Sequence, residues 1–210
     1  MMSAGTLITL DGIDGTGKSS QAKRLSRSLD DRGYDVLLTR EPGGTRGAES
    51  IRELILSTND IDWSPASELL LFFAARCNHV EQVIRPALAA GTIVVCDRFT
   101  DSTRVYQSLS PEADAVLEAI NAHLVRMEPD LTLILRSAPE LAQERVRHRG
   151  AVITRFEKGD AHRHAKRADA FDRILARFPE RCVAIDADRD PECVAGDILA
   201  CVLERLGGGS

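Results

Sequence analysis

Lys18 and Ser19 close the run Gly12-Ile13-Asp14-Gly15-Thr16-Gly17-Lys18-Ser19, whose spacing is G-x-x-x-x-G-K-S. The glycines allow successive backbone N–H groups to curl around phosphate oxygens, and the N-terminus of the helix that follows adds its positive dipole end. In such a loop the lysine reaches the outer phosphates and the serine hydroxyl ligates Mg²⁺. Gly12, Ile13, Asp14, Gly15, Thr16, Gly17, Lys18, Ser19 and Ser20 are therefore the expected ATP-binding residues. An apolar run, Leu7 to Leu10, precedes the loop, and a helical pattern through Leu25 and Leu29 follows it, so the strand-to-helix context fits.

A second chemical signal is Ile93-Val94-Val95-Cys96-Asp97-Arg98. An apolar strand ending in aspartate places Asp97 beside the Mg²⁺ water shell, so Ser19 and Asp97 are the candidate metal residues. Arg98 would project from the carboxyl end of that strand, where open α/β sheets bind ligands. A third feature is the stretch from Arg147 to Arg167, which carries seven Lys and Arg residues and few large apolar ones. It reads equally as a solvated face or as a lid closing over phosphates, at about residues 147–162.

The elements that hold these groups alternate strand with helix, which implies a parallel sheet covered on both faces. The expected strands are Thr6–Leu10, Asp35–Thr39, Thr92–Cys96, Leu131–Leu135 and Cys182–Ile185, giving an α/β P-loop NTPase fold with a five-stranded parallel sheet. Ser64-Pro65 and Ser110-Pro111 are helix starts, and Pro86 interrupts a long helical pattern. Residues 1–206 read as one domain and 207–210 as a flexible tail.

Composition narrows the partners. The net charge of −5 argues against a dedicated nucleic-acid binder. The longest apolar run, Leu69–Ala75, is too short to span a bilayer. Five scattered cysteines without a C-x-x-C pair suit a reduced, cytoplasmic protein. Neither the N-K-x-D element of a GTP switch nor the L-S-G-G-Q signature of a transporter ATPase is present.

Thr39-Arg40-Glu41-Pro42-Gly43-Gly44-Thr45, Leu71-Phe72-Phe73-Ala74-Ala75-Arg76 and Asp97-Arg98-Phe99-Thr100-Asp101-Ser102-Thr103 follow the phosphate loop in order. With that loop, this ordered set resembles the thymidylate kinases over essentially the whole chain. The resemblance implies transfer of the γ-phosphoryl of ATP to dTMP. A 5-modified deoxyuridylate, such as 5-hydroxymethyl-dUMP, or another deoxypyrimidine monophosphate is the alternative acceptor. It implies a catalytic set of Lys18, Asp14, Arg98, Arg149 and Arg155, and an acceptor set of Arg52, Phe72, Arg76, Arg98, Thr103 and Tyr106. Phe72 would stack on the base, Arg76 would bond its exocyclic oxygen, and Tyr106 would pack under the sugar. Gly15 stands where some members carry a catalytic arginine, so the chain resembles the bacterial type whose arginines come from the lid. A homodimer packed through helices is also implied, with apolar faces around Leu69–Phe73 and Val116–Leu124. Three features depart from bacterial members: Ser108-Leu109-Ser110-Pro111 replaces a glycine-rich segment, Arg104 replaces an uncharged residue, and Thr154 precedes Arg155 in place of aspartate. All three are expected around the acceptor.

Overall fold

The computed structural model describes residues 5–57, 61–107, 111–148, 156 and 161–207. Five strands, β1 (Leu7–Asp11), β2 (Val36–Arg40), β3 (Ile93–Asp97), β4 (Leu131–Arg136) and β5 (Cys182–Asp186), form one sheet of order β2-β3-β1-β4-β5. Every pairing is parallel; Leu7–Leu10 of β1 run beside Val94–Asp97 of β3, and Ile8–Asp11 beside Leu131–Ile134 of β4. The three inner strands are buried through their apolar residues. The edge strands β2 and β5 are only partly covered, unlike the two-sided burial their sequences suggest.

Helices cover both faces. One face packs α1 (Lys18–Asp30) and α9 (Pro191–Gly207) over Ile8, Leu10, Leu133 and Leu135. The expected α9 stripe forms, with Val194, Ile198 and Val202 buried, and Gly207 belongs to that helix rather than to a tail. The other face packs α3 (Pro65–His79) against Leu7, Val94 and Phe99. Ser64 caps α3 by accepting from the Ser67 amide at 3.2 Å, with Pro65 in the first turn. The break expected at Pro86 is absorbed without a loop: a wider π-helical turn, Val80–Ile84, leads into α4 (Arg85–Ala89), with Pro86 in its first turn.

The remaining helices frame the carboxyl edge of the sheet. They are α2 (Arg46–Leu56), α5 (Thr100–Tyr106), α6 (Pro111–Ile120, extended by a π-helical turn Asn121–Val125), α7 (Pro139–His148) and α8 (Ala161–Arg177). A third apolar cluster, including Ile13, Ile134, Ala142, Phe171 and Ile174, fastens α7 and α8 to the sheet beside the phosphate loop. Among the described residues, no helix is long and apolar enough to cross a membrane.

Candidate active site

Each strand ends in a charged residue: Asp11, Arg40, Asp97, Arg136 and Asp186. Two of them, Arg40 and Asp97, reach a cavity of about 470 Å³ that opens at this edge. The cavity runs from the phosphate loop, at Gly17, Lys18, Ser19 and Ser20, to α3 and α5, at Phe72, Arg76, Thr103 and Tyr106. Asp14, Arg52 and Arg98 also line it. All six residues expected to form the acceptor site thus share one cavity with the end of the phosphate loop.

The loop itself is held by local bonds. The Ile13 side chain is in the core, while its carbonyl accepts from Thr16 Oγ1 at 3.0 Å and from Lys18 Nζ at 2.6 Å. Gly17 caps α1 with φ +89°, a left-handed conformation open to glycine. Gly15, at φ +92°, has no room for a side chain, because a Cβ there would lie 2.0 Å from the Ala142 carbonyl oxygen of α7. The arginine that some relatives carry at this position is sterically excluded here. Lys18 is buried, and that burial pulls its ammonium down to about 8, with nearby Arg98 adding to the shift and Asp14 and Asp97 opposing it.

Arg98 follows β3 with φ +72°, a conformation rare outside glycine that turns it back over the loop. Its Nη1 donates to the Gly12 carbonyl at 3.2 Å and to Ser102 Oγ at 3.0 Å, and its Nη2 pairs with the Asp14 carboxylate. Tyr106 donates its hydroxyl to the other Asp14 oxygen at 3.0 Å. Burial works to raise the Asp14 carboxyl, but Arg98 and Lys18 outweigh it and leave the group below its usual range. Burial works against the charge on Arg98, but Tyr106 and then Asp14, Asp97 and Asp11 outweigh it and keep the guanidinium protonated.

On the far wall, Phe72 and Arg76 lie one turn apart on α3 and both face the cavity. Phe73 points into the core instead, as expected. Arg76 is almost wholly buried; Nε donates to Glu41 at 2.7 Å, Nη2 donates to Thr103 Oγ1 at 2.9 Å, and Nη1 has no partner. Glu41 also pairs with His79 at 3.2 Å, which itself contacts Thr39 at 2.7 Å. Arg52 donates to the Pro42 carbonyl at 2.8 Å and reaches the cavity from α2. The Phe156 ring stands edge-on to Phe72 at 5.8 Å and to Tyr106 at 6.5 Å, closing one side.

Ser19 Oγ donates to one oxygen of Asp97, whose other oxygen is buried with no hydrogen-bond partner. A hydroxyl beside a half-satisfied carboxylate is a hard-oxygen set that suits Mg²⁺, which keeps most of its waters and takes few protein ligands.

One expectation is revised, and others fall outside the described residues. Arg104 does not line the cavity. It is buried over the Phe178 ring, 5.0 Å from its centroid, and bonds Asp101, Glu118 and Glu128. Its charge is thus consumed by an acidic network on the far side of α5. Arg149, Arg155, Thr154 and Ser108–Ser110 lie outside the described residues, as does most of the 147–162 stretch. Within that region Arg147 is described but does not line the cavity, whereas Arg145 does. Glu41 and Ser102 lie inside the quoted motifs and Arg167 ends the basic stretch, but the sequence assigns none of them a role at the site. Arg167 donates to the Phe156 carbonyl at 2.6 Å and stacks over Tyr106 at 4.3 Å. Glu41 had a readable signal, since it is the one acid in a Pro-Gly-Gly turn at a strand's carboxyl end. Ser102 and Arg167 carry no signal of their own beyond the motif and the basic stretch that hold them.

A phosphate loop at the head of α1, facing an arginine-walled cleft across a parallel sheet, defines a P-loop phosphotransferase. Comparison with known proteins narrows the class. The family model described as thymidylate kinase matches residues 10–198. The chain is 47% identical over 202 residues to the thymidylate kinase of Dinoroseobacter shibae, covering 95% of this chain and 97% of that protein. It is 44% identical to that of Caulobacter vibrioides, covering 98% and 100%. The crystal structure of thymidylate kinase from Ehrlichia chaffeensis superposes with a TM-score of 0.76 at 30% identity, covering 96% and 99%. The chain belongs to the thymidylate kinase family. It is a nucleoside-monophosphate kinase with ATP as phosphoryl donor.

Proposed function

We propose that this enzyme transfers the γ-phosphoryl of ATP to dTMP, giving dTDP and ADP, and that 1–206 acts as one catalytic unit. The observation that carries the acceptor is Arg76: Nε and Nη2 are tied to Glu41 and Thr103, while Nη1 is buried, unpaired and one turn from Phe72. Such a donor asks for a carbonyl acceptor on a stacked planar base, which thymine supplies and cytosine, with an amino group there, does not. Tyr106 would underlie the sugar and favour 2′-deoxyribose.

The acceptor is a phosphate oxygen already ionised at neutral pH, so no strong general base is required. Catalysis then comes from alignment and charge neutralisation. Lys18 neutralises the outer phosphates of ATP, cradled by the loop from Gly12 to Ser20. Arg98 sits at the seam between donor and acceptor, and Asp14 releases its Nη2 when phosphate oxygens arrive. Arg52 holds the acceptor phosphate. Arg149 and Arg155 supply the lid charge that Gly15 cannot. Ser19 and Asp97 would hold Mg²⁺, directly or through water, and the ion would supply positive charge between the donor phosphates.

A reduced cytoplasmic setting suits five free cysteines. Exposed Leu70, Val116 and Leu124, on α3, α6 and its π-helical extension, support a homodimer packed through helices. Neither nucleic acid nor membrane is among the partners proposed.

A coupled ADP-release assay across dTMP, dUMP, 5-hydroxymethyl-dUMP, dCMP and UMP tests the acceptor. The highest kcat/KM belongs to dTMP. Preference for a modified deoxyuridylate or for dCMP would overturn the acceptor, and ATP turnover indifferent to every monophosphate would overturn the kinase reading.

A further inference from the structure

Asp11 ends β1, one residue before the phosphate loop, and is completely buried. It forms no ion pair with the described residues, and its Oδ2 has no hydrogen-bond partner. Burial, reinforced by nearby Asp101, pushes its carboxyl up to about 6. A buried carboxylate so poorly compensated costs the fold stability, and an amide or apolar residue would cost less. Stability does not explain it.

Its one bond points toward the chemistry. Asp11 Oδ1 accepts from Ser102 Oγ at 2.5 Å, and the same Ser102 oxygen accepts from Arg98 Nη1 at 3.0 Å. A serine hydroxyl has one proton and two lone pairs. When Asp11 takes the proton, Ser102 can only offer a lone pair to Arg98. Nη1 is then anchored to two fixed acceptors, Ser102 Oγ and the Gly12 carbonyl, while Nη2 remains on Asp14. The two ends of the guanidinium thus have separate duties: one is fixed to the scaffold, the other is exchangeable.

We propose that Asp11 and Ser102 are positioning residues for Arg98, with Asp11 orienting the Ser102 hydroxyl so that it holds the guanidinium at the seam between donor and acceptor phosphates. The inference rests on the phosphoryl-transfer reading of Arg98 given above. Asp11 is wholly buried and Ser102 only borders the cavity, and both act through the arginine.

The test compares Ser102→Ala, Asp11→Asn, the double variant and Arg98→Lys in full-length enzyme, with steady-state kinetics and thermal melts. Ser102→Ala lowers kcat by about 10- to 100-fold, the range for a lost bond to a charged group; Asp11→Asn, whose amide oxygen accepts from Ser102 more weakly than a carboxylate, lowers it by a smaller factor, and both leave the KM for ATP within threefold. The double variant is no slower than the slower single one, because both act in one relay. Asp11→Asn melts at or above the wild-type temperature despite its lower kcat, which a merely structural residue would not do. The proposal is overturned if Ser102→Ala keeps full kcat while Arg98→Lys loses it. It is also overturned if the two losses multiply, or if the Asp11→Asn loss tracks a lower melting temperature. Full kcat in Arg98→Lys would instead remove the reading of Arg98 on which the relay stands.

Discussion

Arg76 and Thr103 meet across the cavity wall, with Nη2 donating to Oγ1 at 2.9 Å, so that helix α3 and helix α5 fix one guanidinium between them. Phe72, four residues before Arg76, is thereby placed opposite a rigid polar anchor. Truncating Phe72 to Ala removes one stacking face. Base–aromatic stacking is worth about 1–3 kcal/mol per base, so the KM for dTMP should rise about 5- to 150-fold. The KM for ATP should change by less than threefold, because the phosphate loop is untouched. Equal increases for both substrates would show that Phe72 supports the fold instead.

Lys18 combines burial with an ammonium pulled down to about 8, and nucleotide phosphates reverse that shift by favouring the charged form. ATP binding at pH 8 should therefore draw in about half a proton, falling toward zero at pH 6 where Lys18 is already charged. Calorimetry in two buffers of different ionisation enthalpy measures it, and buffer-independent heats at pH 8 would contradict it. The stability sign follows. With the folded value below the unfolded one, the charged lysine costs the nucleotide-free fold up to about 3 kcal/mol below pH 8, and that cost is relieved as pH rises toward 10. Lys18→Met should thus melt higher at neutral pH while losing about 10³-fold or more in kcat.

Much of this arrangement is legible in the sequence, and the exceptions share physical causes. The strand expectations each stop one residue early, because an apolar criterion discards Asp11, Arg40, Asp97, Arg136 and Asp186, the charged residues with which those strands end. Local apolar pattern cannot recognise a strand end that carries a charge, whether it reaches the cavity, as Arg40 and Asp97 do, or is buried, as Asp11 is. The phosphate loop is visible because chemistry fixes its spacing, whereas the Phe72/Arg76 pair is reached through the family resemblance, the four-residue spacing adding only that both share one helix face. Arg104 misleads for the converse reason. Its partners Glu118 and Glu128 are 14 and 24 residues away, so only the tertiary fold shows its charge to be already occupied. The link from Asp11 through Ser102 to Arg98 spans 91 residues at its first step and leaves no periodic trace.

Gly15 offers a steric test of how this chain supplies its catalytic charge. A Cβ there would stand 2.0 Å from the Ala142 carbonyl oxygen and 2.7 Å from its carbon, both backbone atoms of α7. Neither can yield without moving that helix, and φ +92° adds strain of about 1–2 kcal/mol for any L side chain. Gly15→Ala should lower the melting temperature by several degrees and raise the KM for ATP more than the KM for dTMP. Gly15→Arg should not rescue an enzyme whose Arg149 and Arg155 have been changed to Ala, because the side chain cannot enter while α7 keeps its place. Restoration of activity in that triple variant would show that α7 gives way readily and that this loop can carry the charge after all.

Arg104 provides the contrasting case, a buried charge whose effect should fall on stability rather than chemistry. Its guanidinium bonds Asp101 at 2.9 Å, Glu118 at 2.8 Å and Glu128 at 2.7 Å, and Arg181 joins Asp101 from the other side. Both guanidiniums stack on Phe178, at 5.0 and 4.3 Å. Changing Arg104 to Met preserves much of the packing but leaves carboxylates without a counter-charge, and removing one partner of a buried pair costs about 3–5 kcal/mol. Glu118 and Glu128 are partly solvated, which places the loss near the lower figure, a fall of about 6–12 °C in Tm for a chain of this size. Because Arg104 does not line the cavity, KM for dTMP and kcat below the melting range should stay within about threefold of wild type. A large rise in the dTMP KM with little change in Tm would move Arg104 back to the acceptor site, where its sequence position alone would have put it.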